Sequence, residues 1–93
     1  MFDRLLQRFR ELVRTSRYVL TVHAADEMEA DGLNVYDVEH CVLSGRIVER
    51  QRDRASKEWK YVLEGRTLSR ANAVVVVKVG PTGKLIVITV FLS

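Results

Sequence analysis

His23 stands between an alternating run, Tyr18–Val22, and an acidic stretch with helical spacing that opens at Ala24. A histidine at such a junction lies beside the first amides of a helix, which point outward without intrahelical partners. Further along come Arg46, Arg50, Arg52, Arg54, Lys57, Lys60 and Arg66, interleaved with Trp59 and Tyr61. Cations hold phosphates and aromatic rings stack on unpaired bases, so this mixture suits single-stranded RNA. RNA carries its own nucleophile, the 2′-hydroxyl. Cleaving it without a metal therefore needs only a base, an acid and a cation over the phosphate. Histidine is the side chain suited to exchanging protons near neutral pH, which makes His23 the candidate acid or base. Arg50 or Lys60 could hold the phosphate, and Tyr61 could stack or donate a proton. Arg46, Arg52, Arg54, Lys57, Trp59 and Arg66 are the candidate RNA contacts. The competing reading is an edge hairpin kept soluble by charge, with a structural histidine at a helix start.

Other chemistries find less support. His23, His40 and Cys41 lack metal-ligand spacing, so neither metal nor cofactor is expected. His40 lies mid-helix near Tyr36 and reads as surface or structural. No serine sits in a glycine-rich elbow. Gly80-Pro81-Thr82-Gly83 is too short for a phosphate loop and reads as a turn. Cys41, beside Val38 and Val42, reads as a small buried apolar residue.

The elements that must position these residues follow from hydrophobic period. Phe2, Leu5, Leu6, Phe9, Leu12 and Val13 recur at helical spacing, so Asp3–Arg14 is expected to be an amphipathic helix started by Asp3. Its apolar stripe is expected to face the core or a second copy in a homodimer. Tyr18–Val22 reads as a strand and Ala24–Asp31 as a short helix, stopped at Gly32 with Leu33 folded back on Met28. Asn34 is expected to cap a second helix, with Asp37 at its third position, and Gly45 to end it. The rest reads as a four-stranded antiparallel meander: Arg46–Asp53, Glu58–Glu64, Ala73–Val79 and Leu85–Leu92. Ala73–Val79 is apolar on both faces and should be central. Simple alternation would place Arg46, Val48, Arg50 and Arg52 on one face of the first of these strands.

Ninety-three residues, 47% hydrophobic and 29% charged, fit one globular domain. The division expected is an N-terminal helix over residues 1–17 and an α+β domain over 18–93. One cysteine excludes an internal disulfide framework and makes the cytoplasm the expected compartment. Leu5 and Leu6 are fenced by Arg4, Arg8 and Arg10, so no secretory signal is expected, and no stretch reads as a membrane span. Net charge is +3, unevenly spread. Residues 24–45 carry six carboxylates and no Lys or Arg, whereas residues 46–93 carry ten Lys or Arg against four Asp or Glu. A basic strand layer beside an acidic helical layer fits a face reserved for an anionic partner, or two faces that attract each other within the fold.

The motifs T-V-H-A-A-D-E-M-E-A-D-G-L, D-V-E-H-C-V-L-S-G-R-I-V-E-R-Q-R-D-R, K-Y-V-L-E-G-R and P-T-G-K-L-I-V-I-T-V resemble a bacterial family catalogued as a domain of unknown function. That family in turn looks related to the RelE- and BrnT-like toxins, small α+β ribonucleases of toxin–antitoxin pairs. Its pattern falls on His23, Ala24, Met28, Gly32, Val38, Tyr61, Gly65, Ile88 and Thr89. The resemblance implies a RelE-like α+β fold, with a single mostly antiparallel sheet, helices on one face and the N-terminal helix added. It implies an RNA-directed toxin-like domain, with metal-independent endoribonuclease activity as the catalytic version. The implied partners are RNA, such as mRNA, and an antitoxin-like protein, in some relatives one with a zinc finger. Many relatives carry arginine where this chain has Glu27 and Asp31. That departure keeps the alternative open: a non-catalytic interaction module using its basic sheet on an acidic protein.

Overall fold

The computed structural model describes all 93 residues. Helix α1 (Asp3–Arg14) is followed by a short strand β1 (Tyr18–Leu20), then helices α2 (Val22–Ala30) and α3 (Val35–Ser44). Strands β2 (Arg46–Arg52), β3 (Trp59–Arg66), β4 (Asn72–Val79) and β5 (Leu85–Leu92) complete one sheet, in the order β1-β5-β4-β3-β2. The fold is α+β. The expected meander is present, antiparallel throughout, and β1 adds to β5 as the single parallel pair.

One core joins all three helices to one face of the sheet. Phe9, Leu12 and Val13 from α1, Ala24 and Met28 from α2, and Val38, Cys41 and Val42 from α3 meet Leu63, Val75, Val77, Leu85, Val87 and Val90. The stripe on α1 is thus spent inside the chain, with Phe9 fully enclosed. Asp3 does not cap this helix. Phe2 holds the N-cap position without a side-chain bond, and Asp3 lies in the first turn, where its carboxylate suits the helix dipole. No helix is long and apolar enough to cross a membrane.

The strand before His23 is shorter than alternation suggests. Thr21 leaves the strand and caps α2: its hydroxyl accepts from Ala24 N at 3.0 Å and donates to Ile88 O at 3.1 Å. Helix α2 therefore begins at Val22, and His23 lies in its first turn rather than at a strand end. At the far end Gly32 takes a left-handed φ of 69°, and Leu33 N donates back to Met28 O at 2.8 Å, the expected stop. Asn34 and Asp37 form the reciprocal capping box of α3, satisfying two orphan amides at once.

Two bulges reset which residues share a face. Ile47 pairs with Leu63 and Glu49 with Val62, leaving Val48 as the extra residue. Arg46 then sits opposite Glu64, whereas Arg50 sits opposite Tyr61 and Arg52 opposite Trp59. The expectation of one shared face for Arg46, Arg50 and Arg52 is corrected here: a bulge shifts the pleat by one residue, and every side chain beyond it changes sides. A second bulge leaves Ile88 unpaired between Val87 and Thr89.

The sheet's two edges are treated differently. Strand β1 covers only the start of β5. Beyond it, Glu27 accepts from Val90 N and Asp31 from Leu92 N, each at 3.1 Å. Carboxylates of α2 thus occupy amides that would otherwise form an open edge. Strand β2 has no such cover.

Candidate functional site

Strand order separates the expected catalytic group. His23 is two-thirds exposed, and its Nε2 lies 3.2 Å from Glu27 Oε1, the oxygen that also holds Val90 N. It therefore belongs to the β5 edge. Strand β4 separates β5 from β3, and β2 lies farther still, so β5 and β3 are about 10 Å apart at ordinary strand spacing. Tyr61 and Lys60 are neighbours on β3 and point to opposite faces. Tyr61 is half-buried on the helix side, edge-on to Phe2 and Phe9 with ring centroids 6.1 and 5.6 Å away. It serves as packing between α1 and β3. Lys60 lies on the other face, opposite Gln51. It lines a recess of about 370 Å³ with Thr21, Lys78, Ile86, Ile88 and the loop carboxylate Glu58, which sits 3.6 Å from Lys78 Nζ. His23, Arg50, Lys60 and Tyr61 do not form one constellation.

The hairpin makes a second cluster. The guanidinium carbons of Arg50 and Arg52 lie 4.2 and 5.0 Å from the centre of the Trp59 ring, within cation–π range. Both cations stand over a ring that is 39% exposed, so this indole is already occupied by its own chain. Arg54 and Lys57 are exposed on the connecting loop, where Asp53 accepts from Ala55 N and Ser56 N at 2.9 and 3.0 Å. Those amide bonds hold the Asp53 carboxyl below its ordinary pKa.

The third cluster contains two expected RNA contacts and two residues that the spacing did not single out. A cleft of about 590 Å³ opens at the end of the sheet, lined by His40, Arg46, Glu64, Arg66, Arg70 and Asn72 among others. None of its three arginines is ion-paired. The cleft exists because α3 ends directly against β3. A Cβ on Gly65 would lie 2.2 Å from Cys41 O, and one on Gly45 would lie 2.3 Å from Glu64 O. Only two glycines allow this approach, which brings the last turns of α3 beside Arg66. Arg10 closes the helix end from behind, donating to Gly45 O at 2.9 Å.

His40 is fixed by that approach. Its Nδ1 lies 2.7 Å from Arg66 O. A carbonyl only accepts, so Nδ1 carries the proton and Nε2 is left as the acceptor in the neutral ring. Arg70 is held by a tight loop. Thr67 N donates to Ala71 O at 2.9 Å, Arg70 N donates to Thr67 O at 3.0 Å, and the Thr67 hydroxyl accepts from Ala71 N at 3.1 Å. Asp37 anchors the loop to α3 by accepting from Leu68 N at 3.0 Å. Within it Arg70 adopts a left-handed φ of 68°, a conformation that costs a non-glycine residue roughly 1–2 kcal/mol.

Cys41 lies beneath this cleft, 1% exposed, with Sγ 3.6 Å from Ala73 O. Burial pushes its thiol up to about 11, so it stays protonated and unreactive at neutral pH. No group of three or more His, Cys, Asp or Glu side chains converges so as to hold a metal ion.

Residues 20–92 match a family described as a domain of unknown function, DUF4258. The chain belongs to this family. The match begins in β1 and ends in β5, so α1 is the element outside it, although its stripe completes the same core. No curated protein and no solved structure matches the chain. Within this DUF4258 domain, the cleft lined by His40, Glu64 and three arginines free of ion pairs is the candidate site.

Proposed function

We propose that this DUF4258 domain is an RNA-binding, toxin-like module of a cytoplasmic toxin–antitoxin pair, and that it cleaves RNA without a metal. The observation that carries the reading is the cleft lined by His40 and by Arg46, Arg66 and Arg70, none of which is ion-paired. Guanidinium groups present planar forks that match phosphate oxygens, and they stay charged at any pH the fold tolerates. The Arg50–Trp59–Arg52 cluster lies on the same hairpin but on the opposite side of β2 from Arg46, so it is not part of this cleft. The antitoxin would cover this surface with an acidic segment.

The test is binding of single-stranded RNA across a salt series. Each phosphate contact contributes a slope of about −0.7 in a plot of log affinity against log salt. Replacing Arg46 and Arg66 together by alanine should flatten the slope by about 1.4 if each meets one phosphate. An unchanged slope, or no binding at low salt, would refute the reading. One observation favours a second reading: β2 is an uncovered edge bearing Arg50 and Arg52, while the opposite edge is closed by Glu27 and Asp31. An acidic protein segment could add to it as a strand. Protection of β2 amides from hydrogen exchange by an acidic peptide, without RNA affinity, would select that reading.

A further inference from the structure

We propose that His40, not His23, is the residue that moves the proton in RNA cleavage. The inference rests on the RNA-binding reading of the cleft and names the chemistry that cleft performs. Three observations support it. His40 lines the cleft with Arg46, Arg66 and Arg70. Its Nδ1 is held by Arg66 O, which fixes the ring and leaves Nε2 as a base. Nε2 has no hydrogen-bond partner in the protein, whereas His23 Nε2 faces Glu27 at 3.2 Å. A backbone carbonyl orienting one ring nitrogen so that the other can act is a recurrent way to prepare a histidine.

Nε2 of His40 takes the proton of a ribose 2′-hydroxyl, and that oxygen attacks the adjacent phosphorus. The bond from phosphorus to the 5′-oxygen breaks, and its electron pair leaves on that oxygen. Water protonates the leaving oxygen, and the imidazolium proton neutralises the hydroxide left behind. The products are a 2′,3′-cyclic phosphate and a 5′-hydroxyl end. The arginines meet the charge that builds on the phosphoryl oxygens. A strand lacking 2′-hydroxyls would bind the same cations and stay intact.

The chain has two histidines, which makes the experiment compact. A fluorescent single-stranded RNA and its all-deoxy counterpart are incubated with the full chain in chelator, and binding and cleavage are read separately. His40→Gln should bind RNA within about twofold of the native chain yet cleave at least about 100-fold more slowly, the usual scale for losing a proton-transfer group. His23→Gln should still cleave, to cyclic-phosphate ends. In that variant His40 is the only imidazole, so carbethoxylation should stop cleavage and hydroxylamine should restore it. This arm holds even if His40→Gln fails to fold.

Cleavage surviving in a folded His40→Gln overturns the inference alone, whereas RNA bound but left intact by the native chain overturns both the inference and the cleavage proposed for the domain. Loss of cleavage in folded His23→Gln with retention in His40→Gln would return the role to His23. Absence of RNA binding at low salt would overturn the RNA reading itself.

Discussion

Gly65→Ala tests how the cleft is built. The added Cβ would lie 2.2 Å from Cys41 O and 2.9 Å from Cys41 Sγ, where ordinary contact begins at 3.4 Å. The shortfall at the carbonyl is therefore 3.4 − 2.2 = 1.2 Å. Neither partner can yield cheaply. Cys41 O belongs to a helix backbone, and Gly65 is paired in register with Ala73 inside a central strand. Helix α3 must move away from β3, loosening Val38, Cys41 and Val42 from the core. Overpacking of this kind costs about 1–3 kcal/mol when side chains absorb it, and here backbone must absorb it, so a loss of about 3 kcal/mol is expected. For a domain of this size that lowers Tm by roughly 12–24 °C. Urea unfolding should show a reduced midpoint with an unchanged slope. Because the helix that retreats carries His40 away from Arg66 O, cleavage should fall even where the variant remains folded. A loss below about 1 kcal/mol would refute the argument that this glycine is required for space.

Arg70→Gly relieves the left-handed strain but increases the freedom of the unfolded chain. Thermal melts should show a change within about 1 kcal/mol, while RNA affinity falls with a shallower salt slope; a marked drop in Tm would show that Arg70 is held for stability. Glu27→Ala leaves Val90 N unpaired at the β5 edge and should cost about 1–3 kcal/mol, with faster amide exchange at Val90 as the direct readout. Stability should also fall as pH rises above 9. The Cys41 thiol is raised from 9.0 to about 11 by burial, and the Tyr18 phenol from 10.0 to about 12 by burial and its hydrogen bond to Glu39. Both groups are neutral when protonated, so the unfolded chain ionises first. Their contribution is complete below the unfolded values and is lost as pH rises through the folded ones. In Cys41→Ala the part of this loss that begins near pH 9 should disappear.

Much of the fold is legible because it rests on local rules. Asn34 with Asp37, Gly32 with Leu33 and Met28, and the turn at Gly80–Gly83 each declare an element boundary through chemistry contained within a few residues. The apolar run Ala73–Val79 declares a central strand. What alternation could not show is where it breaks. Val48 and Ile88 look like any other strand residues, and their bulges depend on partners in neighbouring strands. Arg46 was expected beside Arg50 for this reason, although one extra residue places them on opposite sides.

The site was less legible because its decisive contacts join distant parts of the chain. His40 mid-helix has no local signature. Its placement beside Arg66 follows from Gly45 and Gly65, twenty residues apart, which together let α3 end against β3. The one available signal was that Gly65 directly precedes Arg66, a small residue beside a cation in an otherwise regular strand. Glu27 and Asp31 teach the complementary lesson. The resemblance to toxin-like domains implies arginine at these two positions, and so suggests cations removed from a phosphate site. In the fold they accept from Val90 N and Leu92 N, a task arginine cannot perform because it only donates. Carboxylates there close the β5 edge and bind His23 to it. With that edge closed by carboxylates, the other end of the sheet, where Arg46, Arg66 and Arg70 line a cleft without ion pairs, is where we propose that an anion binds.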